Sequence, residues 1–175
     1  HSRFGRMIWC RMGVALLAGY IGFAAGMHYI ALGQVRQYAA EGRIDYENLA
    51  ALPLPPWPGR WAGLISTATS VYRVQFNLLG GELPRLDVYR SATENPRVKD
   101  ARALPGVQEF LWFARFPVFT YLDRDGRSVV QISDARFIGP RRPGITAALS
   151  TTLSNFTYEV VFASDGTVIS SGLLD

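Results

Sequence analysis

A chain of 175 residues has room for one domain and an appendage. Its net charge of +4 is small and scattered, Lys99 is its only lysine, and no aromatic-and-basic RNA signature is present, all of which argues against nucleic-acid binding. Cys10 is the single cysteine, and His1 and His28 are the only histidines, which excludes an internal disulfide framework and argues against a self-contained His-rich metal site.

The chain opens on His1 rather than Met, so we read it as a piece of a longer protein. Residues 12–32, MGVALLAGYIGFAAGMHYIAL, contain no Asp, Glu, Lys or Arg and match the length of about 20 residues that a membrane-spanning helix needs. Gly13, Gly19, Gly22 and Gly26 are costly in a soluble helix but common in membrane ones. Arg3, Arg6 and Arg11 precede the run, while Arg36 and Arg43 beyond it are mixed with Glu41, Asp45 and Glu47. That bias predicts a cytoplasmic N-terminal side and an outer location for residues 41 onward. A cleaved signal peptide ending near Ala24-Ala25 and a buried soluble helix are the alternatives. Ala15, Gly19, Gly22 and Gly26 fall near one helical face, which suits either close packing on partner helices or simple tolerance of glycine in lipid. His28, near the outer end, is a functional candidate as an ionisable group in a span, against the plainer reading of a hydrogen-bonded structural histidine.

Residues 51–60, ALPLPPWPGR, hold four prolines and read as a stiff, extended linker. Beyond it the apolar period becomes two. In VYRVQFNLLGG, Tyr72, Val74, Phe76 and Leu78 face one way and Arg73, Gln75 and Asn77 the other, a half-buried strand. RWAGLIST and RLDVYR are its expected partners. Asp125-Gly126 predicts a hairpin between PVFTYL and RSVVQIS, and Asp165-Gly166 another between the strand around 156–162 and TVISSGLL. Pro105 predicts a helix start, with Val107, Phe110, Leu111 and Ala114 forming its buried face. The expected fold class is α+β: one N-terminal transmembrane helix, then a mainly antiparallel β-sheet domain with a packed helix. We divide the chain into a basic flank and membrane helix (1–40), a Pro-rich linker (41–59) and an extracytoplasmic β-rich domain (60–175).

Three motifs, GYIGFAAGMHYIAL, ALPLPPWPGRWAGLISTATSVYRVQF and VQEFLWFARFPVFTYLDRDGRSVVQISDARF, together resemble the C-terminal part of a family of membrane-bound proteins described as metal-dependent hydrolases, of which a LexA-regulated inner-membrane hydrolase is one bacterial type. The third is the most specific, with a Phe-x-x-Phe-x-Arg-Phe-Pro and Asp-x-Arg-Phe order. The match covers most of residues 12–138 and leaves residues 139–175 without an assigned role. The resemblance implies a bacterial inner-membrane location, the lipid bilayer and upstream transmembrane helices as partners, and a divalent metal held by Asp and His residues of those upstream helices. No residue of this chain matches those ligands. The β domain is then expected to cover the site, gate it or bind substrate; a non-enzymatic membrane-tethered binding or scaffolding module is the alternative.

Asp134 and Arg136 are the candidate site residues within the third motif. Read as a strand they point to one face with Val130 and Ile132, so the carboxylate is expected to be buried and to need an arginine partner. Arg115 and Arg60, each beside an aromatic residue, are the other candidates for the cluster. The readings weighed are a structural ion pair, a clamp for an anionic ligand such as a lipid headgroup, and a catalytic carboxylate; the last lacks any accompanying histidine, cysteine or second acid. No Gly-rich phosphate loop, G-x-S-x-G elbow or H-E-x-x-H is present. Asn155-Phe156-Thr157 matches a glycosylation sequon and is read as chance.

Overall fold

The computed structural model describes residues 2–81, 83–138 and 156–174, with the backbone alone for residues 2–6. The apolar front of the chain is one uninterrupted helix, α1 (Ser2–Glu41), about 60 Å long at 1.5 Å per residue. Its Met7–Glu41 stretch is long and apolar enough to cross a bilayer, and only 6% of the most apolar window is buried. A Cβ placed at Gly13, Gly19, Gly22 or Gly26 would meet nothing within 4 Å.

The last turns of α1 behave differently. Ala31, Val35 and Ala39, spaced by four and so on one face, are buried against Ala51, Trp61, Ile65 and Val74. The helix closes with Ile44 N–H donating to the Ala39 carbonyl and Arg43 N–H to that of Ala40, while Arg43 takes a left-handed φ of 49°. This is a Schellman closure, and Ile44 folds its side chain back onto the same cluster. It aims the chain straight into the sheet.

Among the described residues, eight strands form two antiparallel meanders. The first sheet holds β1 (Asn48–Pro53), β2 (Arg60–Ser66), β3 (Ser70–Asn77) and β4 (Arg85–Arg90); the second holds β5 (Pro117–Arg124), β6 (Arg127–Asp134), β7 (Thr157–Phe162) and β8 (Val168–Leu173). The α+β class, the antiparallel sheets and both Asp-Gly hairpins are as the sequence predicts. Some local readings need correcting. Residues 48–53, placed in the linker, are a strand paired with β2 from Asn48↔Ser66 to Pro53↔Trp61. They tolerate Pro53 because β1 is an edge and the proline comes last. The Pro-rich connection therefore shrinks to Leu54–Gly59. Another correction concerns β3, which is covered on both faces rather than one. Tyr72, Val74 and Phe76 pack toward α1, while Val71 joins Leu64, Tyr89, Phe116 and Val118 on the opposite side.

Gly63, in the middle of β2, is where α1 comes closest: a Cβ there would lie 2.5 Å from Cγ2 of Val35. The second sheet carries its own helices. Asn95 caps α2 (Pro96–Arg102) by accepting from Arg97 N–H at 2.8 Å, and Pro105 opens α3 (Pro105–Phe113). The single helical region of the sequence reading is thus two helices, because Pro105 cannot extend the helix before it. Val98, Ala101, Val107 and Phe110 pack on Phe119, Val130, Ile132, Val160 and Phe162. Ala92 N–H donates to the Phe119 carbonyl, and Phe119 N–H to Ser91 Oγ, sewing the end of β4 to β5.

At the Asp125-Gly126 turn both residues have positive φ, 53° and 73°, the geometry of a tight type I′ hairpin. The Ser164-Asp165-Gly166 turn instead ends on a left-handed Gly166 at 92°. There Asp165 accepts from the backbone N–H and then from the hydroxyl of Thr167, at 2.9 and 2.7 Å, and these bonds hold its carboxyl below the ordinary 3.8. A depressed carboxylate contributes stability that is present above its unfolded pKa and lost as pH falls through the folded one. An NMR pH titration is therefore expected to place the Asp165 midpoint below that of a Thr167→Ala variant, with the Thr167 amide shift following the same curve.

Candidate functional site

Asp134 ends β6 with its side chain fully buried. Its Oδ2 accepts from the Arg115 backbone N–H at 2.9 Å and from Arg136 Nε at 2.9 Å, with Arg136 Nη2 at 2.7 Å; Oδ1 accepts from the Arg136 backbone N–H at 2.9 Å. Arg136 is not on the strand. The chain turns after Asp134, with Phe137 N–H donating to the Asp134 carbonyl at 2.9 Å. Strand alternation therefore does not bring the pair together. An aspartate that bonds the amide two residues on curls the backbone, and the guanidinium folds back over the carboxylate.

The same guanidinium donates from Nη2 to the Phe113 carbonyl at 3.0 Å and lies 5.1 and 5.2 Å from the stacked rings of Phe113 and Phe137. One carboxylate thus ties the end of β6, the segment leaving α3 and the following turn into a latch. Both oxygens are committed to donors of this chain, which leaves Asp134 poorly placed to serve as a base or to bind a ligand.

The structure separates the other candidates. Arg115 supplies Asp134 with its backbone N–H, while its exposed side chain lines a polar groove of about 400 Å³ between the sheets. Lys99 and Arg102 share that groove with the hydroxyl residues Ser66, Thr67, Ser91 and Thr93. Lys99 is paired to Glu94 at 3.0 Å, and Arg102 sits 5.4 Å over the Phe119 ring. Arg60 opens β2 at its other end, roughly 20 Å from Ser66 at the strand rise. Arg60, Arg115 and Arg136 therefore do not rim one pocket. His28 lies on α1 with its ring 5.8 Å from that of Trp61.

Sequence reasoning missed Arg73 and Asp87, which face each other across β3 and β4 and are both buried. Arg73 donates from Nη1 to the Ile138 carbonyl, and Asp87 Oδ1 lies 3.9 Å from Arg85 Nε. Among the described residues, Arg73 Nε and Asp87 Oδ2 have no hydrogen-bond partner. The alternation of β3 placed Arg73 on a solvent face, and nothing local to it signals the second sheet that covers it. Lys99 and Arg102 were equally illegible as groove residues, since helical spacing says nothing of which groove a helix borders.

The family resemblance places its divalent metal in upstream helices, outside this chain. Among the described residues no three of His, Cys, Asp and Glu come together to hold one. The sequon at Asn155 and the chain start at His1 lie outside the described residues. No family model, curated protein or solved structure matches the chain.

Proposed function

We propose that this chain is the membrane-anchored, outward-facing part of a bacterial inner-membrane protein, in which the β unit is an accessory or substrate-binding domain. The observation that carries the proposal is α1, a single helix whose long apolar section lies bare and whose last turns are packed into the core of the first sheet. Such a helix both anchors the first sheet and sets its orientation. Arg3, Arg6 and Arg11 before the apolar run support a cytoplasmic N-terminal side. The resemblance to metal-dependent hydrolases supports placing the metal ligands in helices upstream, against which Gly19, Gly22 and Gly26 would pack. A tethered, non-enzymatic binding module is favoured by one separate observation, the groove lined by hydroxyl residues and by Lys99, Arg102 and Arg115 against Glu47 and Glu94, whose excess of cations suits an anionic ligand.

Membranes from cells producing the chain are expected to retain it through an alkaline carbonate wash, and protease added to spheroplasts is expected to cut the β unit while sparing an N-terminal tag. Release by carbonate overturns the anchor, and protection of the β unit overturns the orientation. Metal analysis of the purified chain by mass spectrometry tests the division of labour. Substoichiometric metal is expected; one tightly held ion per chain would move the chemistry into the β unit.

A further inference from the structure

α1 enters the bilayer from beneath the first sheet, and the register between helix and sheet sets the depth of the loops at that end. His28 lies beside Trp61, and Val35 packs on Gly63, so α1 and β2 run in the same direction. The apolar run extends to Leu32, four residues or about 6 Å beyond His28. Trp61 is therefore level with residues that belong to the span, and the loops that project past Trp61 lie deeper still.

Two loops occupy that rim. One is the Leu54–Gly59 connection, with Trp57 55% exposed; the other joins β3 to β4, with Leu79 66% and Leu83 93% exposed. They form one unit. Leu78 N–H donates to the Gly59 carbonyl at 2.8 Å, and a Cβ at Gly59 would lie 3.1 Å from both Leu79 Cγ and Trp57 Nε1. The turn at the other end of this sheet, Thr67-Ala68-Thr69, carries no large apolar side chain.

From these observations we infer that the rim formed by Trp57, Leu79 and Leu83 inserts into the interface of the bilayer that α1 crosses, at the boundary between headgroups and acyl chains, a contact that rests on the spanning reading of α1. The chemistry suits that environment. Pro53, Pro55, Pro56 and Pro58 have no N–H to desolvate, and Leu54 N–H is already bonded to the Arg60 carbonyl at 2.8 Å. Tryptophan favours the interface because its ring is apolar and its N–H polar. Arg60 and Arg85, both exposed at this end of their strands, are placed to meet lipid phosphates. The rim would hold the β unit against the membrane as a second attachment, fixing its tilt.

The test uses the full chain with Cys10→Ser, reconstituted in nanodiscs of phosphatidylcholine and phosphatidylglycerol. Single cysteines replace Leu16, Thr69, Leu79 or Leu83, each exposed, and carry a nitroxide label. Collision with oxygen is compared with collision with a water-soluble nickel chelate. The oxygen-to-nickel ratio is expected to be highest at 16, lowest at 69, and at 79 and 83 several-fold above that at 69. Labels at 79 and 83 as aqueous as that at 69, with 16 still immersed, would overturn the insertion and leave the span intact. An aqueous label at 16 would instead overturn the span, and the insertion with it.

Discussion

Asp134→Ala is expected to destabilise the β unit by on the order of 3 kcal/mol, the low end for breaking a buried ion pair because Arg136 keeps some access to water. The loss has three sources. The Arg115 amide loses its acceptor, the Arg136 guanidinium loses its counter-charge, and the turn after β6 loses the bond that curls it. For a unit of this size the melting temperature should fall by more than about 10 °C. Asp134→Asn keeps the shape and part of the acceptor capacity, so it should fall between wild type and the alanine variant. Arg136→Lys should also be damaging, since an ammonium cannot reproduce the fork that holds the carboxylate and the Phe113 carbonyl together. Chemical denaturation followed by circular dichroism checks all three. A loss under about 1 kcal/mol for Asp134→Ala would mean that the latch contributes little, and would reopen Asp134 as a residue kept for ligand or reaction.

Gly63→Ala carries the second large effect, expected at about 1–3 kcal/mol of destabilisation from overpacking. The added methyl would meet Val35 Cγ2 at 2.5 Å and Cγ1 at 3.0 Å. Valine has little freedom at χ1 to move aside, so the helix must lift from the sheet. Val35→Ala alone should also destabilise, by opening a cavity under Gly63. The double variant should be more stable than the sum of the two losses predicts, with a coupling of about 1 kcal/mol or more. Additive losses would show that α1 is not seated on β2 as described. They would also remove the register on which the depth of Trp57, Leu79 and Leu83 depends.

Much of the architecture was legible because its causes are local. The charge-free run, the period-two alternation of β3 and β7, the Asp-Gly turns and Pro105 each dictate backbone geometry or burial through adjacent residues. The candidate site was legible only in outline. That Asp134 is buried against Arg136 could be read from the acid and the arginine in an apolar strand, but not that the pair sits on a turn. Arg115 illustrates why: its contribution to Asp134 is a backbone N–H, which every residue but proline carries and no side-chain pattern announces.

The sequence by itself determined where the long helix, most of the strands and the Asp-Gly turns lie, since steric limits on φ and ψ and the spacing of apolar residues act over a few positions. The tertiary structure alone decided what each face meets. It recruited residues 48–53 into an edge strand, covered Arg73 with the second sheet, placed Lys99, Arg102 and Arg115 around one groove, and seated Val35 on Gly63. Each of these depends on a partner in another segment, from eight residues away for Pro53 and Trp61 to 65 for Arg73 and Ile138, and the free energy of such contacts is set by packing and desolvation between segments, which no short window of sequence contains.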